Sequence, residues 1–295
     1  MRHLLEIDDL SSDDLLAILG HSEQPEPDPV LAGRGVALLF AKPSARTRSS
    51  MEMAVAQLGG HPVTIRGEEV GFDVRETVED IGRTLTCYHA AIGARVFEHQ
   101  LLERLAAASG VPVVNLLSDD AHPLQALADL LTIRQCLGGL AGRRLAYVGD
   151  ANNVARSLGL ACGLVGMGFR IASPDGFGFA EEDLDRLRAT GCEPMTTNQP
   201  DEAVSGADVV YTDVWASMGQ EDQIEDRRRT FAGFTVDDRL MALAQPESIF
   251  LHCLPAHRGE EVSAEVADGP RSRIWEQAEN RMHTARGLLL WMCQE

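Results

Sequence analysis

Short apolar runs alternate with helical runs along almost the whole chain, and most of the apolar runs end in a cluster of polar side chains. Gly35 to Phe40, His61 to Arg66, Ala90 to Val96, Val111 to Asn115, Arg143 to Val148, Arg170 to Pro174, Ala207 to Thr212 and Ile249 to His252 read as strands. Between them, Ser49 to Leu58, Glu76 to Thr86, Leu101 to Ala108, Pro123 to Cys136, Val154 to Val165, Glu181 to Thr190 and Asp237 to Ala244 carry helical spacing, and Arg273 to Cys293 closes the chain as one long amphipathic helix. Such alternation predicts βαβ units, hence an α/β fold whose parallel sheets are flanked by helices. At 295 residues the chain exceeds what a single core usually supports, so two domains are expected. Gly138-Gly139 marks the change, giving domains of 1–137 and 138–272, with the last helix, about 273–295, packing back on the first. Ligands of open α/β sheets bind outside the carboxyl ends of the strands, which points to an active site in the interdomain cleft.

The polar clusters sit where that rule wants them. Lys42-Pro43-Ser44-Ala45-Arg46-Thr47-Arg48 follows the first strand and opens a helix. A helix start offers backbone N–H groups without intrahelical acceptors and partial positive charge, and arginine adds a forked grip on phosphate oxygens. The same residues also suit an ordinary N-cap by Ser44 with surface arginines. Ser118-Asp119-Asp120-Ala121-His122-Pro123-Leu124-Gln125 opens the helix before the domain change, and His122 and Gln125 converge at its first turn. In the second half, Gly149-Asp150-Ala151-Asn152-Asn153, Asp213-Val214-Trp215-Ala216-Ser217-Met218-Gly219 and Cys253-Leu254-Pro255 follow strands. The first half thus gathers cations (Arg46, Arg48, Arg95, His122) suited to an anion; the second gathers an acid, a thiol and an amide (Asp213, Cys253, Asn152) suited to an amine. Glu221 to Thr230 is strongly charged and reads as a solvated face or mobile loop.

A net charge of −19 disfavours nucleic acid and anionic membrane surfaces as partners, and makes a local cluster of arginines less accidental. No apolar run is long enough to span a bilayer, and the acidic N-terminus is unlike a signal peptide, so a cytoplasmic location is expected. The six cysteines are scattered without a C-x-x-C pair, which argues against a zinc or disulfide framework. The βα turn after Val148 lacks G-x-G-x-x-G and disfavours a dinucleotide.

Taken together, Ser44-x-Arg46-Thr47-Arg48, His122-Pro123-x-Gln125, Asp213-x-Trp215-x-Ser217-Met218-Gly219 and His252-Cys253-Leu254-Pro255 are similar, in that order, to the motifs of the aspartate/ornithine carbamoyltransferase family, the last two to its ornithine branch. The resemblance covers essentially the whole chain. It implies transfer of the carbamoyl group of carbamoyl phosphate to the δ-amine of L-ornithine, giving citrulline and phosphate, in arginine metabolism. Ser44, Ala45, Arg46, Thr47, Arg95, His122, Gln125 and Arg281 would hold carbamoyl phosphate; Asn152, Asp213, Ser217, Met218, Cys253 and Leu254 would hold ornithine; Arg46, Arg95, His122 and Cys253 would be catalytic. No metal and no organic cofactor is implied, and the family is typically built on homotrimers.

Some positions depart from the family pattern. Ala45 stands where a threonine is usual, Cys87 where an arginine is frequent, and Glu68 to Arg75 lacks a glutamine that in relatives reaches the neighbouring subunit's site. Three other readings stay open on sequence: another acceptor amine such as putrescine or an N-acylated ornithine, a non-catalytic carbamoyl phosphate-binding paralogue, and a cysteine-nucleophile hydrolase. The last is disfavoured because His252 and Cys253 are neighbours on a strand and point to opposite faces.

Overall fold

A computed structural model of the chain describes residues 1–216 and 224–294. The chain divides into two compact units, Met1–Leu131 with Glu279–Glu295, and Thr132–Ala278. In chain order the elements are α1 (Ser12–Ser22), β1 (Gly35–Phe40), α2 (Ala45–Gln57), β2 (His61–Arg66), α3 (Gly67–Val70), α4 (Val78–Thr86), β3 (His89–Arg95), α5 (His99–Ala108), β4 (Val113–Leu117) and α6 (Pro123–Leu137). There follow β5 (Arg144–Val148), α7 (Asn153–Leu164), β6 (Gly168–Ala172), α8 (Glu181–Ala189), β7 (Met195–Thr197), α9 (Pro200–Val204), β8 (Val209–Thr212), α10 (Ile224–Thr230), α11 (Asp238–Met241), β9 (Ile249–His252), α12 (Ala264–Ala267) and α13 (Ile274–Cys293). The division between the units falls within α6 and within α13.

Each unit is a parallel sheet with helices against it. The sheet of the first unit runs β2-β1-β3-β4, that of the second β7-β6-β5-β8-β9. Both pair in parallel throughout, with Phe40 beside Arg95 in one and Val148, Thr212 and His252 aligned in the other. Burial explains the apolar runs. Along β1, β8 and β9 successive residues are buried on both faces, leaving no position for polar alternation. The first core gathers Ala37, Leu39, Ile81, Ile92, Leu102 and Val113, among others. The second gathers Val148, Val210, Trp215, Phe231, Phe250 and Val262. No helix among the described residues is long and apolar enough to cross a membrane.

Topology also fixes where a ligand can lie. In the first unit the chain leaves β1 for β2 on one side and reaches β3 on the other; in the second, β5 is flanked by β6 and β8. A crevice opens at the carboxyl ends of strands where the order reverses. Ser44 follows β1, Arg95 ends β3, Asn152 follows β5 and Asp213 follows β8.

Within the first unit, α13 is drawn tightly against α1. Arg286 is buried and spends its guanidinium on neutral acceptors, the carbonyls of Ser22 and Gln24 and the side chain of Gln57. Burial holds its pKa below the ordinary value. The next residue is Gly287, where a Cβ would stand 2.2 Å from Ser22 Oγ and 2.7 Å from the Ile18 carbonyl oxygen. Backbone cannot yield there as a side-chain tip can, so Gly287→Ala is expected to cost about 3 kcal/mol, read as a lowered midpoint in urea denaturation.

Candidate active site

The cluster expected to meet an anion lies in the first unit. The helix α2 begins earlier than the pattern suggested, so Ala45, Arg46, Thr47 and Arg48 are its first turn and only Lys42 to Ser44 form the loop. Ser44 is the N-cap, and its hydroxyl is spent locally: it accepts from the Thr47 N–H at 3.4 Å and donates to Thr47 Oγ1 at 3.1 Å. Thr47 Oγ1 also accepts from Arg95 Nη1 at 3.4 Å. With both acceptances made, the Thr47 hydroxyl has its own proton to give outward, as an anion requires. Arg46 lies exposed on the same turn. Arg48 does not join the cluster, because it pairs with Glu52 one turn along at 2.7 Å and lies half-exposed.

The start of α6 supplies the other wall. His122, Gln125 and Arg281 are all buried. Arg281 Nη1 lies 2.8 Å from Gln125 Oε1 and 3.3 Å from His122 Nε2. A guanidinium has only protons to offer, so Nε2 accepts and the neutral imidazole carries its proton on Nδ1. Burial first, then the charges of Arg281, Arg95 and Arg46, hold this imidazole well below its ordinary value of 6.5. The same charges place His122 within electrostatic range of all three arginines. The unfolded chain protonates this histidine near 6.5 and the folded protein does not, so the unfolded state takes up more protons below that pH. His122 therefore adds up to about 1.4 kcal/mol of lost stability per pH unit as pH falls from 6.5 toward its folded pKa. Urea titrations of wild type and His122→Asn are expected to diverge below pH 6.5 and to run parallel above it.

In the second unit the carboxyl ends of β5, β8 and β9 bring together an amide, an acid and a thiol. Asn152 caps α7, its Oδ1 accepting from the N–H groups of Val154 and Ala155. Its Nδ2 donates to Asp213 Oδ2 at 3.0 Å, and Cys253 Sγ donates to Asp213 Oδ1 at 3.0 Å. Asp213 is thus a buried carboxylate bridging two of the expected ligand groups. Beneath it, Tyr147 donates to Asn152 Oδ1 at 3.3 Å and stacks on Tyr211 at 5.5 Å. Burial, then the nearby Asp213, push the Tyr147 phenol well above its ordinary range, so it remains a donor.

The turn after β9 is held from behind. His252 is fully buried. Its Nδ1 accepts from the Leu254 N–H at 2.9 Å, and its Nε2 faces the buried Glu261 at 3.1 Å. Leu254 sits at φ 64°, a conformation costly for a residue with a Cβ, so this anchoring is what keeps the turn in place. Asp213, His252 and Cys253 have ligand atoms within 4.8 Å of one another. Both ring nitrogens of His252 are engaged, however, which makes it a hydrogen-bond hub and not a metal ligand.

Some of the arrangement was hidden in sequence. The charged run read as solvated contains α10, and its Arg227 is buried. Arg227 donates to Asp150 and to the Trp215 carbonyl, each at 2.6 Å, and lies over the Phe177 ring at 5.0 Å. One guanidinium therefore joins the β5–α7 turn to the segment after β8. Burial pushes the Asp150 carboxyl up, against the pull of this pairing. Nothing in a run of alternating acids and bases marks which arginine turns inward. Tyr147 and Asp129, polar groups inside apolar stretches, and Glu261, inside a polar one, carry no sequence signal of their roles either. Ser217, Met218 and Gly219 lie outside the described residues.

Comparison with known proteins agrees with this division of labour. Residues 2–135 match the carbamoyl-P binding domain of aspartate/ornithine carbamoyltransferases, and residues 141–292 match their Asp/Orn binding domain. The chain belongs to the aspartate/ornithine carbamoyltransferase family. It is 48% identical to the ornithine carbamoyltransferase of Acidothermus cellulolyticus, over 99% of this chain and 96% of that one. The crystal structure of ornithine carbamoyltransferase from Thermus thermophilus is 45% identical and superposes with a TM-score of 0.91, covering 100% of this chain and 99% of the other. The ornithine carbamoyltransferase from Pyrococcus furiosus is 42% identical with a TM-score of 0.94, over 98% and 96% of the two chains. The cationic cluster around Thr47, Arg95 and His122 falls in the segment matching the family's carbamoyl-P domain, and the Asp213 cluster in the segment matching its amino-acid domain.

Proposed function

We propose that this carbamoyltransferase moves the carbamoyl group of carbamoyl phosphate to the δ-amine of L-ornithine, releasing L-citrulline and phosphate. Near-full-length identity to ornithine carbamoyltransferases supports the acceptor. One observation carries the chemistry: arginines surround a neutral, buried histidine and a single side-chain amide at the strand ends of the first unit. Such a set matches a group that is anionic at one end, polarised at its carbonyl and an N–H donor at its NH2.

In this reading the phosphate lies on the first turn of α2, meeting its N–H groups, Arg46, the Thr47 hydroxyl and Arg95. Ala45 contributes its backbone N–H, which the missing threonine hydroxyl does not affect. The carbonyl oxygen lies among Arg95, Arg281 and His122, donors for the charge that builds there in the tetrahedral state. Gln125 Oε1 accepts from the carbamoyl NH2. The ornithine α-carbon end meets Asn152 and Asp213; by family resemblance alone, Ser217 and Met218 would also hold it. The δ-amine lies near Cys253 and the Leu254 carbonyl. Attack requires the neutral amine, since an ammonium has no lone pair. Its nitrogen forms a bond to the carbamoyl carbon, the bond from carbon to the bridging phosphate oxygen breaks, and the proton lost by the nitrogen ends on the released phosphate, with Asp213 and Cys253 organising its departure. Positioning and electrostatics supply the rate.

By family resemblance the enzyme acts in arginine metabolism, in the cytoplasm and as a homotrimer, which light scattering of the purified protein would test by its mass. The activity is tested directly by incubating the protein with carbamoyl phosphate and ornithine. Stoichiometric citrulline and phosphate are expected; product only with another amine would overturn the acceptor, and no product with any amine would overturn the activity.

A further inference from the structure

We infer that Asp129 sets the orientation of the Gln125 amide and so makes the site select a carbamoyl over an acetyl group. This deepens the function proposed above and rests on it. His122, Gln125 and Asp129 follow one another along a single face of α6, and Gln125 and Asp129 are one turn apart. Asp129 is completely buried, an expensive place for a carboxylate unless it is well used. Gln125 Nε2 donates to Asp129 Oδ1 at 2.8 Å. On the other side Gln125 Oε1 accepts from Arg281 Nη1 at 2.8 Å.

An amide is polar at both ends, and its two neighbours are of opposite kind. A carboxylate only accepts and a guanidinium only donates. A flipped Gln125 would set oxygen against carboxylate and NH2 against guanidinium, losing both bonds at once. Asp129 thus anchors the NH2 end and turns the oxygen toward the anion site. That oxygen has two lone pairs, and Arg281 uses one.

The consequence is selectivity. Thr47, Arg95, His122 and Arg281 all offer protons to a ligand; Gln125 Oε1 is the acceptor set among them. Carbamoyl and acetyl phosphate have nearly the same shape and charge, but one presents NH2 where the other presents a methyl. A methyl against Oε1 leaves a buried acceptor unmatched, a loss that typically reaches tenfold or more.

The experiment compares the KM of carbamoyl phosphate with the inhibition constant of acetyl phosphate as its competitor, in wild type, Asp129→Leu and Asp129→Asn. In Asp129→Leu the ratio of inhibition constant to KM is expected to fall about tenfold, because the amide loses the anchor for its NH2 end. Asp129→Asn keeps a side-chain oxygen as acceptor and is expected to restore the ratio to within about twofold of wild type. A purely packing role would shift both constants together and leave the ratio unchanged, which would overturn the proposal, as would loss of the ratio in both variants. If Asp129→Leu does not fold, Asp129→Ala carries the same expectation. Failure of the wild-type protein to form citrulline would instead reject the function on which this rests, so the two failures are separable.

Discussion

Replacing Arg95 by methionine is expected to lower kcat/KM for carbamoyl phosphate about a thousandfold, with kcat falling as well as KM rising. Arg95 ends β3 at the carboxyl edge of the sheet, buried beside the Thr47 hydroxyl. In the proposed reaction it serves both the leaving phosphate and the carbonyl oxygen, and charge grows on both in the transition state. Methionine fills much of the same volume, so the loss reads chemistry more than packing. The change has a second signature. Arg95 is one of the charges that hold His122 below its ordinary range. Its removal is expected to raise the His122 pKa, moving the acid limb of the kcat/KM profile toward neutral pH. A variant with unchanged turnover and an unshifted acid limb would remove Arg95 from the site.

The second large effect is expected at the other half-site. Asp213→Ala removes the carboxylate that accepts from both Asn152 and Cys253. Two donors lose their common partner, and a group proposed to meet the α-carbon end of ornithine is gone. kcat/KM for ornithine is expected to fall by a factor on the order of a thousand, while the KM for carbamoyl phosphate, proposed to be bound by residues of the first unit, stays within about twofold. The split is the diagnostic: initial rates with each substrate varied separately should show a raised KM only along the ornithine axis. Equal rises in both KM values would mean that Asp213 supports the fold and not the acceptor. Asp213→Asn keeps one acceptor oxygen and should lose less.

Much of this protein was legible in one dimension. Apolar runs flanked by helical spacing identify parallel strands because a sheet covered on both faces excludes polar alternation. Clusters just beyond those runs mark candidate site residues because strand ends are where such sheets leave backbone and side chains open to a ligand. His122 and Gln125 were readable together since helix geometry relates positions three apart. The extent of the first turn of α2 was less so: Ser44 suits a phosphate contact and an N-cap equally well in sequence, and its hydroxyl proves to be spent on Thr47.

What the sequence by itself determined was the βαβ order, the strand-end location of the polar motifs and the opposite chemical character of its two halves. Each follows from local spacing. Only the tertiary structure decided which donors and acceptors meet: Arg281 on Gln125, which are 156 positions apart, Cys253 on Asp213, Arg227 between Asp150 and Trp215, and Asp129 behind Gln125. These pairings settle tautomer, amide orientation and charge. They depend on side chains brought together across long stretches of chain, where burial makes an unmatched polar group costly, and no local pattern records that cost.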